Sequence, residues 1–120
     1  MLPKDRPVLL HNPRCSKSRA ALALLEERGV AFDTRLYLET PLDRSELDEL
    51  AARLGRGPGG WVRRGESAYA EAGLSDDSED AALLDAIAQQ PILMERPILV
   101  NGERAVVGRP PEDVLGLLDD

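Results

Sequence analysis

The chain has few of the residues most often used for redox chemistry and metal binding. Among its 120 residues there is one cysteine, Cys15, and one histidine, His11. A single cysteine forms no internal disulfide, so the fold does not depend on oxidation, and the thiol is expected to be reduced in a cytosol-like compartment. One Cys and one His are too few to close a zinc site without several carboxylates, so no bound metal is expected. Positive charge is also in deficit: 15 Lys and Arg stand against 22 Asp and Glu, a formal charge of −7. That balance argues against general binding to nucleic acid or to an anionic membrane. No apolar run approaches the roughly 20 residues of a membrane span. No basic-then-apolar secretion signal opens the chain either, so a cytoplasmic location is the expectation. No internal repeat or low-complexity segment interrupts the sequence. With 42% hydrophobic residues, the length suits one domain, residues 1–120, with a core of its own.

What the chain does have is concentrated at His11-Asn12-Pro13-Arg14-Cys15-Ser16-Lys17-Ser18-Arg19. Pro7 to Leu10 reads as a short buried strand before it, and Ala20 to Gly29 as a helix after it. Cys15 therefore falls on a strand-to-helix loop at, or just ahead of, a helix N-terminus. Unpaired backbone N–H groups and the positive end of the helix dipole favour an anion there, either a thiolate or a bound oxyanion. Arg14, Lys17 and Arg19 add local positive charge to an otherwise acidic chain, and Arg63-Arg64 forms a second basic island.

In chain order, Ala21, Leu22 and Leu25 keep helical spacing, with Gly29 as the stop. Phe32, Thr34, Leu36 and Leu38 alternate with polar neighbours and predict a second strand with one apolar face. Strand, helix and strand with short links make a βαβ unit with parallel strands. Asp43 to Glu46 has the form of a capping box, opening a helix to about Leu54. Four glycines and a proline in residues 55–60 then impose a loop. Trp61 to Arg64 reads as a short helical turn, and Leu83, Leu84 and Ile87 mark a helix ending before Pro91. Residues 42–92 thus form a helical insertion. Pro97 to Val100 and Arg104 to Val107 flank Asn101-Gly102-Glu103, a hairpin signal, and Pro110-Pro111-Glu112-Asp113 opens a final helix.

This order predicts an α/β fold. It resembles the thioredoxin fold, a mixed four-stranded sheet with flanking helices, carrying a helical insertion between the second and third strands. The motifs narrow the resemblance further. His11-Asn12-Pro13-x-Cys15 with Ser18-Arg19, Tyr37-Leu38-Glu39-x-Pro41, Tyr69-x-x-x-Gly73-Leu74 and Pro91 to Ile98 are similar to the ArsC family of glutaredoxin-dependent arsenate reductases, from about Val8 to Leu118. The resemblance implies Cys15 as nucleophile and Arg63, Arg96 and Arg109 as the anion-binding arginines. It places His11, with Asn12 and Ser18, in support of the thiol, and Pro97 as a cis-proline beside the active site. It implies arsenate or a similar oxyanion as substrate, glutathione as co-substrate, glutaredoxin as protein partner, and no bound cofactor. The glycine-rich run before the first arginine departs from the family pattern and leaves Arg63 and Arg64 as alternatives, with the spacing back from Tyr69 favouring Arg63.

Each of these residues also has an ordinary structural reading. A lone cysteine is commonly a small buried hydrophobe, but Cys15 has no apolar neighbours in sequence and lies among cations. Arg96 alone would pass for the partner of an acid, and Arg109 for a surface charge beside a helix. Arginine suits an oxyanion because its planar fork grips two oxygens and keeps its proton. His11 either bonds a carbonyl at the end of the first strand or tunes Cys15. Ser18 stands where a dithiol enzyme would carry its second cysteine, and its hydroxyl either bonds the thiolate or caps the helix. Two rival functions follow: an ArsC-like thiol oxidoreductase acting on another substrate, such as a glutathione mixed disulfide, and an Spx-like redox regulator that binds RNA polymerase. The Spx switch typically uses Cys-x-x-Cys, and Ser18 breaks that pattern.

Overall fold

A computed structural model describes residues 2–118. The chain runs β1 (Val8–His11), α1 (Ser16–Glu27), β2 (Asp33–Leu36), α2 (Arg44–Leu54), α3 (Ser67–Glu71), α4 (Asp80–Gln89), β3 (Ile98–Asn101) and β4 (Arg104–Val107). Short 3-10 turns cover Pro58–Gly60, Pro91–Leu93 and Pro111–Leu117. The four strands form one mixed sheet in the order β2-β1-β3-β4. β1 and β2 are parallel, as a βαβ unit requires, whereas β3 is antiparallel to both β1 and β4. The hairpin turns at Gly102, whose φ of 64° suits a residue without a side chain.

Strand alternation divides the core between the two faces of the sheet. Leu9 and its register partner Leu99 pack with Ala21 and Leu25 of α1 and with Val114 and Leu117 of the C-terminal 3-10 turn. Val8, Leu10, Ile98 and Val100 face the other way, against Leu47 and Leu50 of α2, Leu83 and Ile87 of α4, and Trp61. Residues between β2 and β3 therefore supply one whole layer. The capping box of α2 forms in full: Asp43 accepts from the Glu46 N–H at 2.8 Å, and Glu46 accepts from the Asp43 N–H at 3.1 Å. Glu46 also takes a two-pronged bond from Arg35, at 2.7 and 3.0 Å, fastening α2 to β2.

Three expectations differ in detail. The second strand ends at Leu36, and the turn that follows exchanges the faces, so Tyr37 is fully buried while Leu38 is exposed. Trp61 to Arg64 is not helical: Val62 bridges to Met94, with Arg63 N–H donating to Leu93 O and Glu95 N–H to Trp61 O. The glycine-rich loop is organised by that same tryptophan, whose indole N–H donates to Arg56 O at 3.2 Å. The final helix is 3-10, with Asp113 N–H donating to Pro110 O and Leu118 N–H to Leu115 O, the tighter pattern common in short pieces. The short helix α3 was not foreseen.

Candidate active site

Cys15 is the N-cap residue of α1, with extended backbone angles, and it is partly exposed. Its position is set by Asn12, a buried residue at the end of β1. The Asn12 carbonyl accepts from Cys15 N–H at 3.0 Å, and its side-chain oxygen accepts from Arg14 N–H at 3.0 Å. Arg19 closes the loop by donating to Pro13 O. The cysteine thus sits at the N-terminus of a twelve-residue helix, on a loop folded around one asparagine.

His11 closes the end of β1 through the Ser18 side chain and not through a carbonyl, and Ser18 bonds neither the thiol nor the end of its own helix. Ser18 lies on the buried stripe of α1 with Ala21 and Leu25. Its hydroxyl accepts from Asn12 N–H at 3.0 Å and stands 2.6 Å from His11 Nδ1. The hydroxyl has a second lone pair and a proton left after accepting from Asn12, so it can pair with Nδ1 in either tautomer of the imidazole. Burial, followed by the Arg19 charge, holds the His11 pKa below its usual value, so the imidazole is neutral at neutral pH. His11 and Ser18 together fasten the end of β1 to the first turn of α1, and so fix the loop that carries Cys15.

The three arginines come from three separate segments, and Glu95 joins two of them. Its carboxylate lies 3.3 Å from Arg63 Nε through one oxygen and 3.1 Å from Arg109 Nε through the other. The pairing of residues 61–63 with 93–95 brings Arg63 there. Arg109 also donates to Arg96 O at 2.9 Å, which ties the third arginine's backbone into the group. Arg63 Nη1 is 2.7 Å from Glu66 Oε2, an ion pair without hydrogen-bond alignment. Arg64 turns away and pairs with Asp76 instead. The basic residue in this cluster is therefore Arg63. Sequence reasoning passed over Glu95, because an acid beside an arginine reads as an ordinary surface pair. Its place next to Arg96 in the Pro91 to Ile98 motif was the available signal.

Arg96 differs from its neighbours. Its Nε and Nη1 are buried yet have no hydrogen-bond partner in the protein, although a buried cation without a partner is costly. The Arg96–Pro97 peptide is cis, as is Arg109–Pro110. Gly108, between these two prolines, donates to Pro97 O at 2.8 Å. A Cβ there would lie 2.9 Å from both Pro97 Cγ and Val114 Cγ1, so the close approach of the Arg109 segment to Pro97 requires glycine. Glu95 and Arg109 also line an open groove of about 440 Å³ with Arg56 and Val107.

Charges of both the cysteine loop and the arginine cluster act on Tyr37. Burial raises the phenol pKa most, and Cys15 adds to the effect. Arg63 and the Asn12 side chain lower it, and Glu95 raises it again. Tyr37 therefore lies within the electrostatic reach of both halves. The arrangement offers an oxyanion the unpartnered Nε and Nη1 of Arg96, next to Arg63 and Arg109, which Glu95 joins. Among the described residues no group of three or more His, Cys, Asp or Glu is placed to hold a metal ion, and no helix is long and apolar enough to cross a membrane.

Residues 10–117 match the ArsC family model. The chain is 49% identical to an arsenate reductase of Neisseria meningitidis serogroup A, over 92% of this chain and 96% of that one. It is 46% identical to an uncharacterized protein of Escherichia coli strain K12, over 92% and 94%. A solved structure of an arsenate reductase from Vibrio cholerae superimposes with a TM-score of 0.88 at 44% identity, covering 92% of this chain and 96% of that chain.

Proposed function

The chain belongs to the ArsC family, and from that premise we propose that it reduces arsenate to arsenite through the Cys15 thiolate, with glutathione and glutaredoxin as electron donors. The observation that carries this reading is Arg96, whose buried Nε and Nη1 lack partners beside an Arg63–Glu95–Arg109 group. Three guanidinium groups from separate segments suit a tetrahedral oxyanion, whose charge needs fixed donors while bonds change.

The chemistry is written on this chain's own residues. Arsenate sits against Arg63, Arg96 and Arg109, and the Cys15 sulfur attacks arsenic. A sulfur–arsenic bond forms and one oxygen leaves as water. Glutathione then attacks the adduct at the Cys15 sulfur, and the sulfur–arsenic bond breaks with its electron pair going to arsenic. Arsenic departs as arsenite, two electrons reduced, and Cys15 is left in a mixed disulfide with glutathione. Glutaredoxin removes the glutathione by thiol–disulfide exchange. An external thiol is required because Cys15 is the chain's only cysteine. Ser18, at the position of a would-be resolving thiol, is turned toward His11.

A coupled assay tests the reading. Purified protein with glutathione, glutaredoxin, glutathione reductase and NADPH is expected to oxidise NADPH only when arsenate is added, and Cys15→Ser to abolish this. Turnover of a glutathionylated peptide with none of arsenate would replace this reading with the thiol oxidoreductase one.

A further inference from the structure

Tyr37 feels the charges of both the cysteine loop and the arginine cluster, and the reaction above does not use it. The β1–β2 register pairs His11 with Leu36, which brings Tyr37, the next residue, alongside Asn12. The ring is fully buried in the core layer that also contains Trp61, Leu93 and Met94. Its hydroxyl is buried as well and has no hydrogen-bond partner in the protein. The Asn12 side chain approaches it and acts on its ionisation without completing a hydrogen bond by geometry, and Cys15, Arg63 and Glu95 also act on it. A ring held in the core therefore carries a buried donor within electrostatic reach of the thiol and the cations, and no protein acceptor receives it. Buried hydroxyls are nearly always paired, so an unpaired one calls for a reason.

We propose that the Tyr37 hydroxyl is a hydrogen-bond donor to an oxygen of the oxyanion bound between Cys15 and the arginines, a fourth and uncharged ligand of that anion. The inference rests on the oxyanion reading above. The arginines supply charge and forked donors. A phenol locked by its ring supplies a fixed direction at low entropic cost. Burial and the Cys15 charge both favour the protonated phenol, so it remains a donor throughout the neutral range. The ligand's oxygen would complete the hydrogen bond that the protein leaves open.

Tyr37→Phe keeps the ring and removes only this hydroxyl. Arsenate binding is measured by calorimetry in the Cys15→Ser background, with and without Tyr37→Phe, so that no covalent step enters. The expected result is a fivefold to tenfold weaker affinity, roughly the worth of one hydrogen bond, with thermal stability unchanged or raised. Alkylation of Cys15 by iodoacetamide, compared between wild type and Tyr37→Phe, is expected to proceed at equal rates, because the cysteine loop does not move. Equal arsenate affinity within about twofold would overturn the proposal. So would a loss of affinity accompanied by altered alkylation, which would assign Tyr37 a structural role at the loop. If Cys15→Ser with Tyr37 intact binds no arsenate, the oxyanion reading itself fails, and this inference falls with it.

Discussion

One oxygen of the Glu95 carboxylate stands 3.1 Å from Arg109 Nε, at the centre of a cluster whose expected business is to bind an anion. The same carboxylate reaches Arg63, so the protein already offers these arginines a negative partner of its own. An arriving oxyanion shares them with Glu95.

Replacing Glu95 by glutamine keeps the size and one acceptor but removes the charge. The expected outcome is tighter arsenate binding by roughly threefold at low ionic strength, since a like charge a few ångströms away is gone. The difference should shrink as salt rises, because the groups are partly exposed and screening is effective there. Titration calorimetry at two salt concentrations checks both parts.

Ser18→Ala leaves the His11 Nδ1 and the Asn12 N–H without their partner in a buried position. Losing a buried partner of this kind costs about 1–3 kcal/mol, which should lower the melting temperature by several degrees. Because Asn12 also positions Cys15, the rate of Cys15 alkylation should change in the same variant. Differential scanning calorimetry and an iodoacetamide time course measure the two effects.

Gly108→Ala places a methyl group 2.9 Å from Pro97 and Val114. Either the Arg109 segment or the cis-Pro97 segment must shift, at about 1–3 kcal/mol for an overpacked core site. Arsenate affinity should fall with stability, as the same shift moves Arg109 and Arg96. A substitution at Gly65, where a Cβ meets nothing within 4 Å, is the control and should leave both nearly unchanged.

The Glu46–Arg35 pair predicts a specific acid sensitivity. The Arg35 bond, working against burial, lowers the Glu46 carboxyl from 4.5 to about 2. A depressed carboxyl contributes stability that is fully present above its unfolded value and lost as pH falls from about 4.5 through about 2. The shift corresponds to at most about 3 kcal/mol. Urea unfolding of wild type and Glu46→Gln at pH 6 and pH 3 should show the difference between them narrowing at the lower pH.

These relationships also mark what the amino-acid order discloses. The βαβ start, the Asn101-Gly102 hairpin and the α2 capping box are written in local periodicity and turn chemistry, so they could be read directly. Tyr37 could not be placed, because a turn after Leu36 reverses which face is inward and alternation alone does not announce where a strand stops. The extended Trp61 to Arg63 segment depends on pairing with residues thirty or more positions away, which no local pattern contains. For the same reason Arg63 was distinguishable from Arg64 only by motif spacing, until the bridge to Met94 showed which side chain faces Glu95. Ser18 looked like a helix cap or a thiol partner because its register on the buried stripe of α1 is a tertiary fact.

The central claim is that Cys15 carries the electrons from glutathione to an arsenate held by the arginines. Its most direct test is the intact mass of the protein after incubation with arsenate and glutathione, glutaredoxin being left out. The account predicts that a glutathione adduct accumulates on Cys15 only when arsenate is present, with arsenite released in equal amount. An adduct that forms equally without arsenate, or arsenite released by Cys15→Ser, would contradict it.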